Sequence, residues 1–474
     1  SGSAFNNNSA LLKVSANLWA DYRLAAETIA DKVAGNAEQV KKLLPANLPT
    51  DPALRAKAIV TPIARRAFRR TPSAAEISRL AGFYTDGLKM SDRKDATAAG
   101  LETVITAVLQ SPSFLYRTEL GDGSGSTEVK LNAFELASRL SYAVWNTIPD
   151  EDLLASAESG ELLNEATWEA QVNRLVKDKK GEDALAFFHY KAFNIEKFSP
   201  GNKDKTLFPK WPADLGDSFK KEAELYFKEV VITNNGGLKE ILTSPFTFVN
   251  DKTAPLYGVA APSGATFAKV QLDPLKRSGL LTQVGFLASK AHENETDPIH
   301  RGTFLVGEIN CTTLAAPPVT GEVPEASDTL KTLRERVNAL TSAPACAACH
   351  GPMINPAGFA FENYDATGAW REKENGVTID ASAEYTFFSN NDGKIKFNGA
   401  AEFVKALVTK TTPHLCYVTK ALEMLSGRRP NSSDDPLLKA LAAESLKGAG
   451  AKDLFTEILL DPSFLVRGNK ESAK

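Results

Sequence analysis

The chain has 474 residues, a formal net charge of −3 and a pI near 6.1. Ordinary apolar and charged fractions mark a globular protein with room for several cores, and the balanced charge gives no general attraction to nucleic acid or to an anionic membrane. No apolar run approaches the length of a membrane span, and four cysteines are too few for a disulfide scaffold in a chain this long.

Helical periodicity dominates. Residues 11–33 read as a long amphipathic helix, followed by helices over 53–70 and 73–88 separated by Thr71-Pro72, and by one over 101–109 that stops before Ser111-Pro112. The stretch 121–126, Gly-Asp-Gly-Ser-Gly-Ser, is the clearest flexible linker. Asn132 is placed to cap a helix over 133–145, and helices fill much of the chain to about residue 242, including 215–231. Residues 248–258 read as an irregular connection, and 275–289 as helix. Thr296-Asp297-Pro298 has a cap followed by Pro at the first helical position and opens a helix through residue 309. A Pro-rich loop over 315–324 and a helix over 330–340 lead to a Cys pair. Strands are expected near 370–371 and over 377–383, joined through Glu374-Asn375-Gly376, a hairpin-type turn. The segment 400–460 reads as helical. The expected fold is therefore mainly α: a multi-domain helical protein with segments 1–120, 127–258, 270–395 and 396–474, and a small β-hairpin after the Cys pair.

An internal echo is visible. Ser111-Pro112-Ser113-Phe114-Leu115 resembles Asp461-Pro462-Ser463-Phe464-Leu465, and residues 60–70 resemble 418–429. Two helical hairpins of similar design, or simply shared helix-end chemistry, account for it.

The chemistry concentrates at Cys346-Ala347-Ala348-Cys349-His350. CxxCH is the attachment pattern of haem c. Two thiols three positions apart on a tight turn reach the two vinyl groups at one porphyrin edge, and the next residue, His350, lies under the ring with its imidazole toward the iron. The competing readings are a zinc site completed by Cys311 and Cys416 and a bare redox pair. The two lone cysteines are not a second close pair, and the redox pair lacks a βαβ context. With haem c the protein belongs outside the cytoplasm, periplasmic or extracellular, where a Cys311–Cys416 disulfide is stable. The opening residues, Ser1-Gly2-Ser3, carry neither an initiator Met nor an export signal, so the signal is expected upstream.

The sixth iron ligand decides the reactivity. Met424, His292 and His300 are the candidate distal ligands; His414 is a weaker one. Met353 is too near His350 to reach the opposite face, and His189, in a Phe-Phe-His-Tyr run, reads as a satisfied core residue. Phe359, Phe361, Tyr364 and Trp370 are candidates to cover a porphyrin, and Arg371 to pair with a propionate. Asn390-Asn391-Asp392-Gly393 reads as a turn rather than a calcium loop.

The run from Pro344 through Cys349-His350, Asn355-Pro356-Ala357-Gly358-Phe359 and Asn363-Tyr364-Asp365 to Trp370-Arg371 resembles the haem segment of the planctomycete-type cytochrome c proteins. So do residues 65–70, 134–146, and 279–282 with 296–302, in order along nearly the whole chain. The resemblance implies export, one covalent haem c and a multi-domain helical architecture. It implies no settled activity, and polysaccharide breakdown is context only. After the haem motif the family runs straight into Asp-Pro, where this chain has Met353-Ile354-Asn355-Pro356. Three functions remain open: an electron carrier exchanging electrons with a redox partner protein or small molecule, a haem enzyme with an open distal face such as a peroxidase or oxidase, and a zinc-holding structural or binding protein.

Overall fold

The computed structural model describes all residues except 1–4, 6, 8–12, 91–92, 94, 122–127, 213, 264–265, 316–324, 326 and 469–474. The linker at 121–126 and the Pro-rich loop therefore lie almost wholly outside the described residues. The chain forms two compact units: residues 9–181 with 459–474, and 1–8 with 182–458. Helices dominate both, and among the described residues the strands form four two-stranded antiparallel pairs.

The first unit is built on Ala16–Ala34, Pro52–Phe68, Ala74–Met90 and Ala96–Leu109. Ile59, Val60, Leu101 and Val104 are fully buried between them. Gly100 lets one helix press on the ring of Tyr84, where a Cβ would stand 2.7 Å from ring carbons. Asn132 caps Ala133–Trp145 in a reciprocal capping box with Glu135. Arg139, on that helix, donates to the carbonyls of Phe464 and Val466, both at 2.7 Å, and so holds the edge where Val466–Gly468 pairs with Glu128–Lys130.

The second unit carries the Cys pair. Its helices include Gly216–Phe227, Pro298–Phe304, Leu333–Leu340, Thr411–Ser426 and Asp435–Lys447. Phe286, Phe361, Phe403, Tyr385 and Phe397 make a continuous run of ring contacts through the core. Asn375 and Gly376 both take left-handed backbone angles and join Lys373–Glu374 to Val377–Thr378, the turn expected from sequence. Two strand pairs and one helix differ from expectation. Phe246–Val249 pairs with Ala268–Gln271 where an irregular connection was read. Ser382–Thr386 pairs with Lys394–Asn398. Residues 275–289 are not one helix but a turn, a 3-10 segment Leu280–Thr282 and a helix Val284–Ser289, because Gly279 sits at φ 62 with its Cα against the backbone of Leu242.

The internal echo extends to the tertiary level. Pro52–Phe68 ends on a left-handed Arg69, then Arg70 pairs with Glu76 at 2.8 Å. Thr411–Ser426 ends on a left-handed Gly427, then Arg428 pairs with Asp434 at 2.7 Å. In each case two helices follow, and then a Pro-Ser-Phe-Leu turn whose preceding Ser111 or Asp461 accepts from the N–H two residues on. The same helix-end devices recur in the same order, with the same six-residue step from Arg70 to Glu76 and from Arg428 to Asp434 but shorter helices in the second copy.

Cys311 and Cys416 are disulfide-bonded, with Cα atoms 5.3 Å apart and a sequence separation of 105. Opening this loop by Cys416→Ser should cost roughly 4 to 5 kcal/mol in the chain-entropy account, read as a lowered urea midpoint. A second expectation concerns Glu222, which is fully buried. Its Oε1 accepts from Thr247 and Tyr257, while Oε2 has no partner. Burial pushes its pKa up from 4.5 to about 7. The folded state thus favours the protonated form. The charge penalty is absent below about pH 4.5 and complete above about pH 7, roughly 3 kcal/mol at 1.36 kcal/mol per unit. Unfolding free energy should fall across that window, and Glu222→Gln should flatten the slope.

Candidate haem-attachment site

Pro at the first position opens the helix Pro344–Cys349. Cys346 and Cys349 lie three residues apart on one face of it; both are free thiols and partly exposed. The chain then widens into a π turn, His350–Ile354, before resuming as Asn355–Phe359. Pro352 explains the change. It has no N–H to give to the carbonyl four residues back, so the α ladder breaks there. The N–H of Asn355 bonds instead to the carbonyl of His350. That five-residue spacing sets the two side chains side by side.

The hydrogen bonds fix the imidazole unambiguously. The hydroxyl of Thr341 donates its one proton to the carbonyl of Val337 at 2.8 Å. It can therefore only accept from Asn355, whose Nδ2 stands 2.8 Å away. The amide orientation follows: Asn355 turns its Oδ1 toward His350 Nδ1, at 2.9 Å. Nδ1 must carry a proton, so in the neutral imidazole the lone pair lies on Nε2. Asn355 is buried, and its Nδ2 also reaches Asn338 at 3.3 Å. Asn355, Thr341 and Asn338 were not singled out from sequence. The signal was present in the unusual Asn355-Pro356, where the resemblance leads one to expect Asp-Pro.

Close packing holds this segment against Pro298–Phe304. A Cβ on Gly302 would stand 2.1 Å from the carbonyl oxygen of Ile354, and one on Gly358 would stand 1.9 Å from that of Pro298. Arg301 is fully buried and donates to the carbonyls of Phe361, Leu287 and Asp365 at 2.9, 3.2 and 3.3 Å. Its charge faces Glu362, 3.8 Å away, which also takes the hydroxyl of Thr296 and pairs with Arg371. Burial lowers the Arg301 pKa to about 10 and raises that of Glu362.

The remaining sequence candidates are dispersed. Phe359 packs with Leu333, Val337 and Ile299, beside the helix that carries Asn338. Phe361 is in the aromatic core against Phe286 and Phe403, and Tyr364 is buried against Trp370 with its hydroxyl on the carbonyl of Lys276. Both rings are thus committed to the core. Arg371 is engaged by Glu362 rather than left free for a propionate. Met424 lies on Thr411–Ser426, whose main neighbours are Asp435–Lys447 and the π turn Leu305–Ile309. His300 lies two residues from both Pro298 and Gly302, so it occupies the opposite face of its helix from the one that meets Ile354 and Gly358. Its Nδ1 bonds to Asp297, and His292 Nε2 lies 3.2 Å from the same carboxylate. None of the three is brought to His350. His414 and His189 are satisfied inside the core. His189 bonds Leu185 and Tyr417, both at 2.7 Å, and burial drives its pKa down to about 4. Asp392 caps Thr411–Ser426 through the N–H groups of Thr411 and Thr412. The disulfide removes Cys311 and Cys416 from any zinc set, so the four-cysteine zinc reading falls. No group of three or more His, Cys, Asp or Glu suited to a metal occurs among the described residues. No described helix is long and apolar enough to cross a membrane.

Two thiols at this spacing, followed by a histidine with a fixed free Nε2, form a donor set that fits haem c.

Three family models match the chain, each described as a protein of unknown function: PSD5 (DUF1595) over residues 55–119, PSD4 (DUF1592) over 131–259 and PSCyt3 (DUF1588) over 277–374. The last spans the CxxCH. No curated protein and no solved structure matches.

The glycine contacts make a direct prediction. Gly358→Ala should destabilise the second unit by about 3 kcal/mol or more, since the added methyl meets backbone that cannot yield. Denaturant unfolding measures it, and Gly351→Ala, where a Cβ meets nothing, should cost less than about 1 kcal/mol.

Proposed function

Because the chain belongs to the planctomycete-type cytochrome c proteins, we propose that it is an extracytoplasmic electron-transfer protein with one haem c bound through Cys346, Cys349 and His350. The single observation that carries this reading is the hydrogen-bond chain Val337–Thr341–Asn355–His350, which assigns an N–H to Nδ1 and so makes Nε2 the ligating nitrogen of the residue that follows two free thiols. A histidine that ligates a metal needs its other nitrogen held by an acceptor. The Cys311–Cys416 disulfide supports an oxidising compartment.

The haem, once attached, supplies a one-electron iron couple. The protein's part is to tether and orient. Cys346 and Cys349 would hold the haem as thioethers, each S–H adding across one vinyl group, and His350 would present Nε2 to the iron; Asn355 keeps the His350 ring from rotating. A neutral amide acceptor leaves the imidazole less electron-donating than a carboxylate would. The electron partner is a redox protein or small molecule, and the mass beyond the haem segment serves docking, with polysaccharide as one surface it could meet.

Protein matured with the haem-attachment machinery should show a Soret band and a reduced haem c α-band, and denatured protein should retain the haem mass. A chain that matures without haem sinks the proposal. Cys346→Ser with Cys349→Ser should lose covalent haem. Asn355→Asp should keep it but lower the midpoint potential, because the anionic acceptor stabilises the ferric state, whereas Asn355→Leu should broaden or split the spectrum. An unchanged potential in the first and an unchanged spectrum in the second would remove Asn355 from the account.

A further inference from the structure

A cavity of about 200 Å³ lies beside the outer face of Pro298–Phe304, away from the haem motif. Its walls include Lys197, Lys290, His300, Phe198, Phe304 and Glu308. The charges are unbalanced. Glu308, the one carboxylate in the wall, is taken by Lys420 at 2.9 Å. Lys197 and Lys290 have no ion-pair partner among the described residues, and the ammonium of Lys290 sits 5.6 Å from the centre of the Phe304 ring. Lys290 is partly buried, and that burial together with the charge of Lys197 outweighs the pull of Asp297 and Glu308 and holds its pKa below the usual value. His300 contributes a third donor as the imidazolium: Asp297 accepts from its Nδ1 and holds its pKa above the usual value, which leaves a second N–H at Nε2 with no partner among the described residues. Two further signs of a purpose-shaped wall are the left-handed Asn194 and the π turn Leu305–Ile309 that supplies Glu308.

We propose that this cavity binds a small organic anion, its carboxylate or phosphate group held by Lys197, Lys290 and His300 and its carbon body resting on Phe198 and Phe304. Two like charges that face each other across a half-buried gap repel, and an anion between them converts that repulsion into two charge-assisted hydrogen bonds. The aromatic floor favours a flat or compact carbon body over a bare ion. The volume suits a group the size of one small ring. The site does not involve the haem, so it stands or falls independently of the assignment at Cys346.

The test titrates the full chain with benzoate, with inorganic phosphate and with neutral benzyl alcohol, at low ionic strength, by calorimetry. At least one anion should bind with a millimolar or tighter Kd, and benzyl alcohol should not. Lys197→Gln with Lys290→Gln should weaken binding at least tenfold, whereas the exposed control Lys439→Gln should leave it unchanged. Benzoate in preference to phosphate assigns an organic carboxylate. The reverse assigns a phosphate ester. If the double variant does not fold, the exposed Lys197→Gln alone should weaken binding at least threefold. Absence of binding by both anions, or equal binding by wild type and the lysine variants, overturns the proposal.

Discussion

Arg301 is the group on which the second unit depends. A guanidinium with no solvent exposure is tolerated only when its donors are occupied and its charge is opposed. Here three carbonyls from two separate segments occupy its two Nη groups, only Nε lacks a partner among the described residues, and Glu362 supplies the counter-charge. The segment from Phe361 to Asp365 is thereby fixed to the helix Pro298–Phe304. Removing either partner leaves the other charged and buried, which is why such pairs act as registers more than as sources of stability.

Everything at the haem motif inherits that register. With Arg301 anchoring one side of the helix, Gly302 and Gly358 can close to backbone contact on the other. The π turn absorbs Pro352 and delivers Asn355 to His350. Thr341, on the preceding turn, then decides the amide orientation. A sequence of local constraints, each with one solution, ends in a single imidazole tautomer. On the opposite face of the same helix, His300 is turned toward a cavity with surplus positive charge.

Parts of this were readable in the residues. Asn132 and Asp297 are caps whose chemistry is local, so sequence locates them. Asn375-Gly376 is legible for the same reason, since both residues tolerate the left-handed angles the turn needs. The strands at Phe246–Val249 and Ser382–Thr386 were not, because pairing depends on a partner up to 25 residues away and short alternating runs resemble loop. Aromatic residues after the motif were read as porphyrin cover because composition cannot tell a ring facing a ligand from one facing its own core, and Phe361 and Tyr364 face the core.

The sequence by itself determined the helical class, the covalent chemistry available at Cys346, Cys349 and His350, and the pairing partners available for a long-range disulfide. Those follow from residue identity and short spacing, which need no fold. The tertiary structure alone decided which histidines are free. His292, His300 and His350 are alike on paper, and they differ by what stands next to them: Asp297 for the first two, Asn355 for the last. Hydrogen-bond direction depends on neighbours brought together from distant positions, and only packing specifies those.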